Sequence, residues 1–379
     1  MSSRRTYLKS ATALVAASLA LPGMAAAEEP IPVVATFSIL GDMVQRIGGE
    51  HIALTTLVGP DGDAHVYQPT PQAAAAVSGA EVLFMNGLEF EGWLERLAEA
   101  ASFDGELVVA TAGIDPLEFD EHDEHGDEHG EEHADHDDHG GEHGDEDHAS
   151  AEHDHDHGDE HAEEQASAEH DHDHGDEHGE EQAELSDHDD HDDHGDAHAG
   201  HDHGAFDPHA WQSIENALVY VDNITAALAK EDPSNAAAFY ENRAAYVAEL
   251  EALEADIDLM MAAIPEERRT IVTSHDAFGY LAAHYGLEFE APQGLSTESE
   301  ASAADVAELI TQIREESISA VFVETITDNR LIEQIASETG AIVGGTLYSD
   351  ALSGAEGPAA TYIDMMRHNA MTLSQALGS

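Results

Sequence analysis

Along most of this chain, short β-branched or apolar runs alternate with stretches in which apolar positions recur every three to four residues. The runs predict strands at 33–36, 52–58, 82–86 and 107–110 in the first half, and at 270–274, 287–290, 320–324 and 341–346 in the second. Helical periodicity falls between them, near 39–48, 70–78, 91–101, 277–285, 303–316 and 330–339. Four strands alternating with helices in each half predict an α/β protein of two lobes, each a mainly parallel four-stranded sheet with flanking helices.

Between the halves lies a longer signal. From Asp232 or Ser234, good helix-capping types flanking Pro233, an Ala/Glu/Leu-rich stretch runs without Gly or Pro to Ile264, where Pro265 stops it. About 30 residues at 1.5 Å each make a rod of roughly 45 Å. One long helix bridging two lobes accounts for it without a coiled-coil partner, so the chain is expected to act as a monomer. The expected organisation is 1–27 as an export signal, 28–117 plus 205–231 as the first lobe, 232–264 as the linking helix and 265–379 as the second lobe.

The pattern breaks at 118–204. This tract holds 22 of the chain's 28 histidines and 38 of its 81 acidic residues, with no Lys or Arg. Ala149 to Gln165 and Ala166 to Gln182 differ at one position only, Ala162 against Gly179, a sign of recent duplication. Too few apolar residues are present to offset backbone entropy, so a disordered insertion in the first lobe is expected. Acid alone makes a solvated linker, but a histidine about every four residues makes a metal-collecting surface, since imidazole suits Zn, Cu and Ni.

The chain's start sets the compartment. Arg4, Arg5 and Lys9, the apolar stretch from Ala11 to Leu21 and the small residues Ala25-Ala26-Ala27 read as a cleaved signal peptide, which places the protein in a periplasm. Ser3-Arg4-Arg5-Thr6-Tyr7-Leu8-Lys9 also resembles a twin-arginine signal; an ordinary secretory signal with two arginines fits the same residues. The chain has no cysteine, which excludes disulfides, thiolate metal sites and a cysteine lipid anchor. A formal charge of −69 makes nucleic acid and anionic lipid poor partners, and no run approaches the ~20 apolar residues of a membrane span.

Six histidines lie outside the tract: His51, His65, His209, His275, His284 and His368. His65 sits in a loop after a strand, His209 where the tract ends and a helix begins, and His275 directly after the strand at 270–274. Asp350 follows the last strand in the same way. Strand ends are where open α/β sheets place ligands. Each residue alone is more simply a structural histidine or a capping aspartate, but two from each lobe converge naturally on one interlobe cleft.

The segments Asp63-Ala64-His65-Val66-Tyr67-Gln68-Pro69-Thr70-Pro71, Asp207-Pro208-His209-Ala210-Trp211, Thr273-Ser274-His275-Asp276-Ala277-Phe278-Gly279-Tyr280 and Tyr348-Ser349-Asp350-Ala351-Leu352 resemble a known family. It is the metal-binding solute-binding proteins of ABC transporters for zinc and manganese, cluster A-I, and the resemblance covers the chain outside the tract. It implies two α/β lobes bridged by one rigid helix, a metal between them, and His65, His209, His275 and Asp350 as its ligands. It also implies an inner-membrane ABC permease with its ATPase as partner. Manganese members tend to carry glutamate where His275 stands, so the chain resembles the zinc type.

Three neutral imidazoles and one carboxylate suit tetrahedral Zn(II) better than Mn(II), which prefers oxygen-rich six-coordination. Asp207 is a candidate to orient a ligating imidazole, and Glu324 with Arg330 a candidate ion pair. An enzyme is disfavoured: four protein ligands close the shell, and His-Glu-x-x-His, P-loop, Gly-x-Gly-x-x-Gly and cysteine-nucleophile patterns are absent. A manganese- or iron-delivering relative, or a stand-alone zinc buffer, share the expected fold.

Overall fold

The computed structural model describes residues 29–118 and 205–378; the expected export signal and nearly all of the His/acid-rich insertion expected to collect metal lie outside the described residues. In the first lobe, strands β1 (Ile31–Phe37), β2 (Ile52–Val58), β3 (Val82–Met85) and β4 (Glu106–Val109) alternate with helices α1 (Ser38–Gly48), α2 (Pro71–Ser78) and α3 (Leu94–Ala101). Helices α4 (Ile214–Glu231) and α5 (Ala236–Met261) follow the insertion. The second lobe has β5 (Thr270–Val272), α6 (Gly279–Tyr285), β6 (Glu288–Glu290), α7 (Ala303–Glu316), β7 (Ala320–Glu324), α8 (Arg330–Thr339), β8 (Ile342–Leu347) and α9 (Tyr362–Leu377).

Both sheets are wholly parallel and share one plan, β2-β1-β3-β4 in the first lobe and β6-β5-β7-β8 in the second. In each, strand order reverses beside the first strand, which opens a crevice at the carboxyl ends of β1 and β3 and of β5 and β7. Parallel strands are covered on both faces, so central ones need no alternation. Val33, Val34, Ala35 and Phe37 of β1 and all five residues of β7 are buried accordingly.

The expected helix at 91–101 starts late, at Leu94, because the chain first turns through Gly87, Leu88 and Glu89, all with positive φ. The buried Glu91 carboxylate clamps this turn, accepting from the Asn86 and Gly87 N–H groups at 2.7 and 3.2 Å and from Thr36 Oγ1 at 2.6 Å. Burial pushes Glu91 up to about 7, against these three donors.

The linking helix is shorter than its sequence pattern suggests. Asp232 turns back on Ser234 and Asn235, leaving Asn235 as the cap and 26 residues, about 39 Å, for α5. Its early turns meet the first lobe, where Asn242 Nδ2 donates to the Ile47 carbonyl at 2.9 Å and Arg46 pairs with Glu249. Its later residues Leu253, Ile257 and Met261 lie in a core that runs on without a break through α9 to Ile271 and Phe322 of the second sheet. The other face of that sheet, Val272, Val321 and Val323, packs separately under α7 and α8.

The hydrophobic pattern left α4 and α9 undelimited. Both carry a legible start: Ser213 and Thr361 accept from the N–H groups of Asn216 and Asp364. Helix α9 packs on β8, α5 and α1, so it lies beside the linking helix α5 and touches both lobes.

Candidate metal centre

His65, His209, His275 and Asp350 come together between the lobes, with one ligand atom of each within 4.8 Å of all the others. His65 Nε2 and His275 Nε2 lie 3.1 and 3.2 Å from Asp350 Oδ2, and His209 Nε2 lies 3.6 Å from Asp350 Oδ1. A tetrahedral ion with bonds of about 2.0–2.1 Å sets neighbouring donors roughly 3.3 Å apart. The buried polar atoms without a hydrogen-bond partner among the described residues include three of this cluster, His209 Nε2, His275 Nε2 and Asp350 Oδ1. Buried polar atoms are rarely left so, and a cation held among them satisfies all three.

Each histidine is held by its own carboxylate. Asp63 Oδ1 accepts the His65 N–H at 2.9 Å, while Asp63 Oδ2 accepts Thr297 Oγ1 from the other lobe at 2.6 Å. Asp207 Oδ1 accepts the His209 N–H at 2.8 Å and lies 2.8 Å from its Nδ1. Glu324, at the end of β7, accepts the Ser274 and His275 N–H groups through Oε1 at 2.8 and 2.9 Å, and its Oε2 lies 2.7 Å from His275 Nδ1. A carboxylate at Nδ1 keeps the proton there and leaves the Nε2 lone pair for a metal.

Glu324 thus has a different partner from the Arg330 suggested by sequence. Arg330 pairs with Asp328 on the surface, because α8 starts there and carries Arg330 away from the strand end. A signal for Glu324 was present all the same: it ends a central strand at the crevice, as His275 and Asp350 nearly do.

Behind the imidazoles stands an aromatic wall. Phe90 packs edge-on against His65 at 4.7 Å and against Trp211 at 4.8 Å, and Phe37 meets both Phe90 and Trp211 at 4.9 Å. Asn86 fastens the His209 turn to this wall, donating to the Pro208 carbonyl at 2.8 Å while its Oδ1 accepts Tyr220 OH at 2.5 Å. The lobes approach so closely that a Cβ on Gly279 would lie 2.5 Å from Asp207 Oδ2. His209, His275 and Asp350 are wholly buried; His65 alone of the four borders a cavity, of about 920 Å³, with Phe90, Leu94, Phe206, Leu295 and Glu298 in its walls.

The electrostatics are those of a dication site. Burial opposes charge on Asp350, yet His209 and His275 hold its carboxyl well below the usual range. Burial also opposes protonation of His275, but Glu324 and Asp350 push it well above the ordinary value, and Asp350 and Asp207 raise His209. The four donors alone leave a dication with residual positive charge; Asp207 and Glu324 add two carboxylates that more than cancel it. Without a dication, protons on the imidazoles supply the counter-charge. Where the insertion leaves and rejoins, Glu118 and Phe206 pair as an antiparallel bridge, three residues before His209.

Comparison with known proteins agrees with this architecture. The family model for ZnuA, zinc-uptake complex component A, periplasmic, matches residues 33–376. The iron-binding protein YfeA of Yersinia pestis is 29% identical over 346 residues, 91% of this chain and 86% of that protein. The manganese-binding lipoprotein MntA of Halalkalibacterium halodurans is 29% identical over 350 residues, 92% and 89% of the two chains. Among solved structures, the periplasmic zinc binding protein TroA from Treponema pallidum shares the fold with a TM-score of 0.68 at 24% identity, covering 93% of this chain and all of that one. All three of these relatives are named as metal-binding proteins. No helix among the described residues is long and apolar enough to cross a membrane. With two parallel sheets, a buried histidine-carboxylate cluster and a family model spanning nearly its whole length, the chain belongs to the ZnuA family of periplasmic metal-binding proteins that serve ABC transporters.

Proposed function

We propose that this protein captures Zn(II) through His65, His209, His275 and Asp350 and delivers it to an inner-membrane ABC importer, a permease with its ATPase. The observation that carries the reading is the set of buried donors from three imidazoles and one carboxylate, with His209 Nε2, His275 Nε2 and Asp350 Oδ1 unpartnered, spaced for a small tetrahedral dication. A shell of four protein donors leaves no position for an activated water, so binding and release, not catalysis, is the activity. Export by a cleaved signal peptide gives it access to periplasmic metal, and the cavity beside His65 gives the ion a way in.

The relatives named for iron and manganese favour a second reading, delivery of one of those ions by the same fold. Nitrogen-rich donors argue against it, because Mn(II) prefers oxygen ligands. Metal analysis of protein lacking residues 120–203 tests the choice: one tightly held Zn(II) per chain is expected, and a preference for Mn(II) in direct competition would overturn it.

A further inference from the structure

Asp350 follows β8 of the second lobe, where Asn369 of α9 still holds both backbone groups of Tyr348, yet the backbone on either side of Asp350 itself is fastened to the first lobe. The Ser349 carbonyl accepts Trp211 Nε1 at 2.8 Å and Gln212 Nε2 at 2.9 Å, both buried and both just after His209. The Leu352 N–H donates to Ser38 Oγ at 2.9 Å, and the Leu352 carbonyl accepts the Asp61 N–H at 2.8 Å. Tyr362 OH closes the set by donating to the Trp211 carbonyl at 2.7 Å, and the Tyr362 N–H donates to Asp42 Oδ2 at 2.9 Å. Ser38 and Asp42 are on α1 and Asp61 is in the loop that carries His65.

His275 is fastened the other way. Residues 273–276 bond to the Glu290, Gln293 and Gly294 carbonyls and to Glu324, all within the second lobe. The polar link from this segment to the first lobe comes later, at Tyr280, whose hydroxyl donates to the Asp207 carbonyl at 2.9 Å and accepts the Leu117 N–H at 3.1 Å. One hydroxyl five residues from His275 restrains it far less than four hydrogen bonds at 349 and 352 restrain Asp350.

We infer that the four donors divide three to one, with His65, His209 and Asp350 held as one unit on the first lobe by the positioning residues Trp211 and Gln212, and His275 alone carried by the second. This rests on the metal-site reading above. The chain order of the ligands, two in each half, suggests an even split on opening; the hydrogen bonds assign a different one. Separating the lobes withdraws a single imidazole, with Glu324 behind it, and leaves a three-donor cradle. Release then takes the loss of one ligand, not the dismantling of the shell.

The chain's lack of cysteine allows paired spin labels in the full-length protein. Exposed sites at Glu99→Cys and Glu315→Cys report the distance between α3 and α7, and Glu99→Cys with Glu356→Cys reports the Asp350 loop against the first lobe. Adding and chelating Zn(II) is expected to change the first distance and leave the second unchanged. If both change together, or neither changes, the three-to-one division is overturned. Gln212→Met, which removes one donor at near-constant volume, is expected to speed zinc dissociation about tenfold, since most such effects appear in the off-rate, while the metal-free unfolding midpoint stays put. Trp211→Phe removes the other donor, and wild-type release rates in both variants would refute their positioning role. Failure of the metal site itself would show differently, as undiminished zinc affinity in His275→Ala.

Discussion

The two lobes share one strand order but present their histidines in opposite ways. In the first, His65 and His209 ride on loops, and each is steadied by an aspartate two residues earlier whose carboxylate accepts its N–H. In the second, His275 leaves a strand end directly, and its carboxylate comes from the next strand, 49 residues away. A loop histidine has no strand ladder to fix its backbone, so local clamps hold it; a strand-end histidine inherits position from the sheet and borrows its partner from a neighbour. The first device is written in the sequence as Asp-x-His, and the second exists only once β5 and β7 lie side by side.

The strongest test of this contrast is to remove the imidazoles. His209→Ala and His275→Ala are each expected to weaken zinc binding by about 100-fold or more, as each opens a closed tetrahedral shell and strands buried carboxylates. Calorimetric competition against a chelator measures this. A triple variant with His65→Ala that still holds stoichiometric zinc after dialysis would remove the site from contention.

Next come the carboxylates behind them. Glu324→Gln and Asp207→Asn are expected to cost about 10–100-fold in zinc affinity, the usual effect of losing the group that orients a ligating histidine. His275→Glu alone would set two carboxylates against each other at a contact now 2.7 Å long, and is expected to weaken binding of both metals. Combined with Glu324→Gln, it is expected to raise Mn(II) affinity relative to Zn(II), by replacing a nitrogen donor with a hard oxygen donor. An unchanged ratio in competition titrations would mean that His275 does not touch the metal.

Lowering pH acts on the same groups. The folded, metal-free protein holds protons on His275 and His209 above the ordinary value of 6.5, and those protons must leave before zinc enters. Affinity should therefore begin to fall while pH is still above 6.5 and continue falling below it. His275, with its raised folded value, contributes stability to the metal-free protein that is fully present below pH 6.5 and lost as pH rises through the folded value. Zinc titrations and metal-free melting curves from pH 8 to 5.5 should thus slope in opposite directions.

The smallest effect on the tight site is expected from deleting residues 120–203. Donors scattered along a sequence with few apolar residues make a weaker chelate than donors framed by two folded lobes, so the tract should hold several zinc ions weakly while the framed site stays unchanged. Growth should suffer only where zinc is scarce. Loss of tight binding in a folded deletion variant would mean that the tract supplies a ligand.

Two lobes, eight strands close to their observed bounds, the helices at 303–316 and 330–339 and the convergence of His65, His209, His275 and Asp350 between the lobes were legible from sequence, because apolar periodicity, caps and strand ends are local signals. The start of α3 was not, since Glu91 folds its clamp back on Thr36 from a distant strand. Asp207 was visible as a candidate partner two residues from His209, whereas for Glu324 the sequence offered only Arg330 as a candidate, because nearness in sequence is a poor guide once a strand ends and the chain turns away. The lobe to which Asp350 is fastened was likewise hidden. Which backbone carbonyl Trp211 and Gln212 reach depends on how two separate sheets and helices α5 and α9 pack, a matter of tertiary distance that no local pattern encodes.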